Sequence, residues 1–434
     1  MKRLRLHLAV VAAIVCHLAP VLAADAAFSL AVRTDRPEAV YRRAEPVEFT
    51  VELTGDGQPV DGAEVQCELS TDAFWHSEKR TVVTQDGQAG LTATREEPCV
   101  LWLRATYTPA QGPPVQTVAG AAFDPELIRP SMSPPEDFEE FWQGQLARLA
   151  DVPMNPEVER LPTNVAGVEL FRVTLDNIND TKIHGYLAKP PGEGPFPAHL
   201  QLQWAGVYSL QTPWVTGPAQ RGFLAFNVNA HAIENGRPPE YYSDLDAGEL
   251  KGYPYQGRES RETCYFLRMY LSCARAADYV ASRPEWDGEH FLAVGGSQGG
   301  GQAIVTAALS PHVTAVAASV PAMCDHTARA VGRAPGWPML VATPGGAPDP
   351  TQLQVARYFD VVNFARRVRV PALFGTGFAD LVCPSSSVYA AYNVYAGPKR
   401  MVLDPPAGHM GSHENYWRES WRFTGEQAGL PGSG

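Results

Sequence analysis

The chain has 434 residues, of which 45% are hydrophobic and 19% charged, and its formal net charge is -12. That length exceeds what one ordinary domain needs, and the balance excludes a disordered chain, which would carry fewer apolar groups and a larger charge excess. The acidic sign removes any electrostatic basis for binding nucleic acid or an anionic membrane surface, and it suits a soluble neutral or cationic substrate.

Lys2, Arg3 and Arg5 precede an apolar run over residues 6–22, broken only by His7, His17 and Pro20. Small residues follow at Val21-Leu22-Ala23 and Ala24-Asp25-Ala26. This layout predicts a cleaved signal peptide over residues 1–23, and hence a secreted or periplasmic protein. The run is short for a membrane anchor and carries a proline, so no stable membrane association is expected. Removing the three basic residues takes the formal charge from -12 to -15. Of seven cysteines, Cys16 lies in this segment, and the residues before it lack the small side chains of a lipoprotein cleavage site. The other six form no CxxC pair, against a zinc knuckle or dithiol site. Export permits disulfides, and Cys67 and Cys99 are the one pair sharing the N-terminal region. The other reading is six buried, reduced thiols.

Residues 28–124 show short alternating runs, 47–53, 63–69 and 100–105, separated by turns such as Gly55-Asp56-Gly57 and Asp86-Gly87. With no helix-period segment among them, they predict an immunoglobulin-like β-sandwich. Trp75, Trp102 and Tyr107 are candidates there either for sugar stacking or for the core. A link rich in proline (Pro125, Pro130, Pro134, Pro135) follows, placing the boundary near 125, with residues 125–434 as a second domain. Its first helix is expected after a cap within 133–137, burying Phe138, Phe141, Trp142, Leu146 and Leu149. Strands are then expected over 198–203, 222–228, 290–295, 313–320, 371–375 and 399–403. Helices are expected over 261–283, from 300 to 309 and at the C-terminus, with 429–434 disordered. Strand–helix alternation with almost continuously apolar strands indicates an α/β domain with a mostly parallel sheet covered on both faces. No internal repeat is present.

Gly295-Gly296-Ser297-Gln298-Gly299-Gly300 stands between an apolar strand and a helix of small residues. A serine turning that tightly leaves no room for a Cβ two places away on either side, and the strained turn lifts its hydroxyl above the sheet edge. The helix behind it aims its amides at the same point. A Walker-type phosphate loop would end in Gly-Lys-Ser/Thr, which is absent. The pattern is the nucleophile elbow of an α/β-hydrolase fold, with the order Ser, acid, His. His312, His326, His409 and His413 follow Ser297. His409, in Pro405-Pro406-Ala407-Gly408-His409 after the last strand, is the expected base, with His413 the fallback. Asp380, ending Gly375-Thr376-Gly377-Phe378-Ala379-Asp380, is the expected acid; Asp325, one strand earlier, competes, and Asp404 sits too near His409. The oxyanion hole is expected to combine the amide of Gln298 with that of Gly206 or Val207, in the loop Trp204-Ala205-Gly206-Val207-Tyr208.

Further elements carry a resemblance across most of residues 134–415. Asp137-Phe138-Glu139-Glu140-Phe141-Trp142, the elbow, Tyr358-Phe359-Asp360-Val361-Val362-Asn363-Phe364-Ala365, Asp380-Leu381-Val382-Cys383-Pro384, Tyr392-Asn393 with Gly397-Pro398-Lys399, and Gly408-His409 resemble the acetyl xylan esterase and cephalosporin C deacetylase family. The resemblance implies that Ser297, Asp380 and His409 remove acetyl groups from small or oligosaccharide esters, with no metal and no cofactor. Its partners would be an acetylated saccharide or another small acetyl ester. Two departures stand out. The family's HGYGG-like segment is replaced by Gln203-Trp204-Ala205-Gly206-Val207-Tyr208. The compact members, which resemble ring-shaped hexamers, lack the N-terminal sandwich, so their oligomeric state is not carried over. The triad alone does not choose between ester and amide, leaving a general carboxylesterase or serine peptidase as alternatives. A glycan-binding protein with a degenerate hydrolase domain is a third.

Overall fold

Alternation of apolar and polar side chains shapes the first hundred residues of the computed structural model, which describes residues 27–430. Nine strands, β1 (Phe28–Thr34), β2 (Val40–Tyr41), β3 (Val47–Gly55), β4 (Gln58–Pro59), β5 (Glu64–Ser70), β6 (Glu78–Val83), β7 (Gln88–Ala93), β8 (Cys99–Tyr107) and β9 (Val115–Phe123), form two sheets. In one, β3 lies between β1 and β7 with β4 at its end; the other runs β2-β9-β8-β5-β6. Phe49, Val51 and Leu53 of the first pack against Val65, Leu69, Leu101 and Leu103 of the second. The signal peptide expected over residues 1–23 lies outside the described residues.

The Cys67–Cys99 bridge is not formed; all six described cysteines are buried and free. The register explains it. Cys67 on β5 faces Ala105 on β8, whereas Cys99 lies at the far end of β8. That offset separates the two by roughly 20 Å along the strand, far beyond disulfide reach.

The remaining strands are β10 (Glu157–Leu161), β11 (Glu169–Asp176), β12 (Lys182–Lys189), β13 (Phe196–Leu202), β14 (Leu224–Val228), β15 (Trp286–Gly296), β16 (Ala315–Ser319), β17 (Ala372–Thr376) and β18 (Lys399–Leu403). They make one sheet ordered β10-β11-β12-β14-β13-β15-β16-β17-β18. From β14 to β18 neighbours run parallel; β10, β11 and β12 add an antiparallel flank that sequence patterning did not anticipate. Along β15–β17 successive residues serve opposite faces. Phe291, Ala293, Val316, Ala318 and Phe374 join one core, and Leu292, Ala315, Ala317 and Leu373 the other.

The helices are α1 (Phe138–Ala150), α2 (Pro213–Gln220), α3 (Pro239–Ala247), α4 (Tyr265–Ala281), α5 (Gln298–Leu309), α6 (Pro350–Phe359), α7 (Val361–Ala365), α8 (Ser385–Val394) and α9 (Glu414–Gln427). Residues of α1, α4, α5, α7 and α8 cover the first face; α9 and α2 cover the second. Helix α4 starts four residues later than expected, because residues 257–264 close turns of their own through Ser260 N–Gly257 O and Thr263 N–Ser260 O. Asp137 stands at the α1 N-cap position, yet its carboxylate bonds Arg261 and Tyr358 and caps nothing. The disordered tail expected from 429 is partly corrected: Leu430 donates to Gly425 O at 3.1 Å and packs on the α9 core, while 431–434 lie outside the described residues. Among the described residues no helix is long and apolar enough to cross a membrane.

The two halves share a core. Residues 99–103 of β8 are buried on both faces: Leu101 and Leu103 point into the sandwich, while Val100 and Trp102 join the core of the larger sheet with Ala122. Trp102 is thus a core residue. Trp75 remains 47% exposed with Arg329 stacked on its ring, and Tyr107 packs edge-on against Phe28. A Cβ on Gly120 of β9 would sit 2.1 Å from the Phe378 carbonyl oxygen, so the sandwich backbone lies directly against the loop following β17.

Candidate active site

At the end of β15 the chain reverses through Ser297, whose φ of 53° and ψ of -124° are rarely adopted by an L-residue. Holding it costs about 1–3 kcal/mol, which the surroundings must over-determine. They do so with backbone bonds: Ser297 N donates to Ser319 O, and Ser297 O accepts from Ala322 N, both at 2.9 Å. The expected steric demand is met. A Cβ on Gly295 would lie 2.3 Å from the Gly299 carbonyl carbon, and one on Gly299 would lie 2.4 Å from Leu202 O. Helix α5 begins at Gln298, two residues earlier than expected, so its N-terminus opens directly behind the serine.

His409 and Asp380 arrive on loops following β18 and β17. His409 Nε2 is 3.0 Å from Ser297 Oγ, and His409 Nδ1 is 2.8 Å from Asp380 Oδ2. Asp380 is fully buried; its Oδ1 accepts from Val382 N and Cys383 N, each at 2.8 Å. That satisfaction keeps a buried carboxylate affordable and fixes its orientation. The loops touch closely, since a Cβ on Gly377 would meet Ala407 O at 2.2 Å.

The competing residues have other partners. Asp325 is buried against Arg333 and accepts from the amide and hydroxyl of Ser131. Asp404 accepts from Asn415 N and Tyr416 N at the start of α9. His413 supports the loop by donating to Gly408 O at 3.2 Å. His326 is buried with neither ring nitrogen hydrogen-bonded, and burial pushes its pKa down to about 3.

Around Gln298 lies a polar network that the sequence did not reveal. Tyr253 Oη donates to Gln298 Oε1 at 2.7 Å and accepts from Gly206 N at 3.3 Å. Gly206 O lies 3.1 Å from His231 Nε2, and His231 Nδ1 meets Tyr265 Oη. Gln203 Oε1 accepts from Ala230 N at 2.7 Å. The amide of Gly206, expected as one of two possible oxyanion donors, is therefore already given to a side chain; its φ of 118° is a conformation that suits glycine. Tyr253, Gln203 and His231 come from three separate stretches, so no spacing rule joins them.

Cys383 also belongs to this site. Burial first, and Asp380 second, push its thiol well above the ordinary value, partly offset by the Ser297 hydroxyl. Ligand atoms of Asp380, Cys383 and His409 lie within 4.8 Å of one another. A metal held there would have to displace the thiol proton and break the His409–Asp380 bond.

A parallel sheet entered from an antiparallel flank, with a glycine-flanked elbow after its central strand, defines the second half as an α/β-hydrolase. The chain belongs to the acetyl xylan esterase (AXE1) family, whose model matches residues 126–425, and it is a carboxylic ester hydrolase. It is 30% identical over 390 residues to the acetyl esterase Axe7A of Xylanibacter ruminicola, covering 88% of this chain and 87% of the relative. That coverage exceeds what residues from 126 onward can supply, so the likeness reaches into the N-terminal sheets. The solved acetyl xylan esterase of Paenibacillus sp. R4 superposes with a TM-score of 0.60 at 24% identity, over 70% of this chain and 98% of that one. Acetyl xylan esterase 1 of Thermoanaerobacterium sp. JW/SL YS485 gives 0.60 at 23%, over 70% and 97%.

Proposed function

We propose that this protein is an exported serine esterase that removes acetyl groups from xylan-type oligosaccharides through an acyl-enzyme intermediate. Ser297 Oγ attacks the acetyl carbonyl carbon while its proton passes to His409 Nε2, and Asp380 holds the imidazole and stabilises the cation that forms. Collapse of the tetrahedral adduct breaks the bond to the sugar oxygen, which takes the proton from His409. Water, deprotonated by the same nitrogen, then releases acetate and restores Ser297. The amide of Gln298 at the head of α5 receives the oxyanion, with Val207 as second donor now that Gly206 serves Tyr253.

The observation that carries this reading is the unbroken chain from Ser297 Oγ through His409 to a buried, doubly amide-bonded Asp380. A fluorophosphonate probe should label Ser297 alone. Ser297→Ala should lower turnover of p-nitrophenyl acetate by about 100,000-fold or more without changing the melting temperature. Labelling elsewhere, or substantial residual turnover, would overturn it. Acetyl preference is checked by comparing acetate with octanoate esters and a dipeptide amide, acetate being fastest. Export follows from the basic and apolar leader at residues 1–23. We read the N-terminal sandwich as immunoglobulin-like: its orders β1-β3-β7 and β9-β8-β5-β6 correspond to the A-B-E and G-F-C-C′ strands of that fold.

A further inference from the structure

Leu202, the last residue of β13, pairs with Gly295 on the neighbouring parallel strand. Adjacent strands lie about 4.8 Å apart, so the loop that carries Trp204 leaves the sheet beside the strand that ends in the Ser297 turn. Trp204 is 45% exposed, yet it is not loose. Its ring centroid is 4.5 Å from that of Trp214 and 6.2 Å from that of Tyr208, and Tyr208 Oη donates to Trp204 O at 3.0 Å. An indole fixed by two aromatic neighbours while nearly half its surface stays in water, on the loop that leaves the strand beside β15, is a ready contact surface for a ligand. From the same loop an open groove of about 480 Å³ runs to α3, lined by Val207, Tyr208, Arg237, Tyr242, Ser243 and Asp246 among others.

We infer that Trp204 and this groove form a saccharide-binding subsite in which a sugar ring of the substrate chain stacks on the indole; the inference rests on the deacetylase reading above. A pyranose ring offers one face of C–H groups to an aromatic plane and a rim of hydroxyls to polar groups. Ser243, Arg237 and Asp246 supply such groups along the groove. A long acyl chain would instead need an enclosed apolar pocket, and this groove is open with charged residues on its wall. Trp204 belongs to the segment Gln203-Trp204-Ala205-Gly206-Val207-Tyr208 that stands where the family has its HGYGG-like segment, so the departure is a specificity feature of this chain.

The test compares kcat/KM for acetylated xylotriose with that for p-nitrophenyl acetate. Both esters use the same triad and oxyanion loop, so their ratio cancels any disturbance of that loop. Trp204→Ala should lower the ratio about tenfold, through KM for the saccharide, equivalent to the loss of one good aromatic contact. Trp204→Phe should recover most of it. An unchanged ratio in Trp204→Ala overturns the subsite. If the wild type cleaves p-nitrophenyl acetate but no acetylated xylotriose, the deacetylase reading fails. The subsite is then decided by titrating unacetylated xylotriose into Ser297→Ala and reading tryptophan fluorescence. Saturable quenching that is lost on adding Trp204→Ala supports it, and no saturable quenching overturns it.

Discussion

The loops that follow β16 and β17 each bury an aspartate completely, yet only one of them meets a histidine. Asp325, after β16, is tied to Arg333 and to Ser131 of the proline-rich segment before α1, and its own amide bonds Asp360 at 2.8 Å. Asp380, after β17, takes two backbone amides on one oxygen and His409 on the other. Burial and a position after a strand do not separate them. Sheet order does: β17 is the direct neighbour of β18, which delivers His409, while β16 lies one strand further away. Gly377 then permits the contact, because a side chain there would strike Ala407.

The sharpest break in this comparison comes from changing each carboxylate to its amide. Asp380→Asn should cut kcat by about 10,000-fold with little loss of stability, since the amide holds the wrong imidazole tautomer. Asp325→Asn should do the reverse. It leaves Arg333 without its buried anion, costing about 3 kcal/mol in denaturant unfolding, while kcat of the folded enzyme stays within about threefold. If the two kcat losses were exchanged, Asp325 would be the acid.

What sequence could reveal follows the same division between local and distant causes. The elbow was legible because its constraint is steric and largely local: a Cβ on Gly295 would strike Gly299 within the turn, while Gly299 is held Cβ-free by the end of β13 at Leu202. The candidate acid was legible as Asp380 with Asp325 as its competitor, since both lie on loops after buried strands and strand order separates them. Strand β10 escaped notice because its residues are almost wholly exposed, and β12 because it is buried on both faces, so neither alternates. The network of Gln203, Tyr253 and His231 had no local signature, and that is why Gly206 looked free to serve as an oxyanion donor.

Both loops are braced from the N-terminal half, and the brace on β17 gives the next effect. Gly120→Ala places a methyl group against the Phe378 carbonyl, two residues before Asp380. If Asp380 is the acid, a shift of about 1 Å in it is worth up to 100-fold, so kcat for p-nitrophenyl acetate should fall between about 10- and 100-fold with KM little changed. Gly90→Ala, where an added Cβ meets nothing within 4 Å, is the matched control and should keep full activity. Equal kcat in the two variants would show that the sandwich does not position Asp380.

The mildest effect appears only in acid and belongs to the loop after β16. Burial holds the pKa of His326 down at about 3, and those of His231 and His199 down at about 4. In the unfolded chain each should titrate near 6.5. Between these values the unfolded state binds protons that the folded state refuses, so stability rises with pH. The contribution is complete above about 6.5 and is lost as pH falls toward 3, at roughly 1.4 kcal/mol per pH unit for each histidine. The ring nitrogens of His326 have no hydrogen bond to lose, and the ring stacks beside Phe266 with centroids 6.2 Å apart. His326→Phe should therefore leave the melting temperature at pH 8 close to that of the wild type and make its decline between pH 6 and pH 4 shallower. An unaltered decline would move the acid sensitivity away from the β16 loop, to the other buried histidines such as His199 and His231 or to the carboxylates held low by their partners.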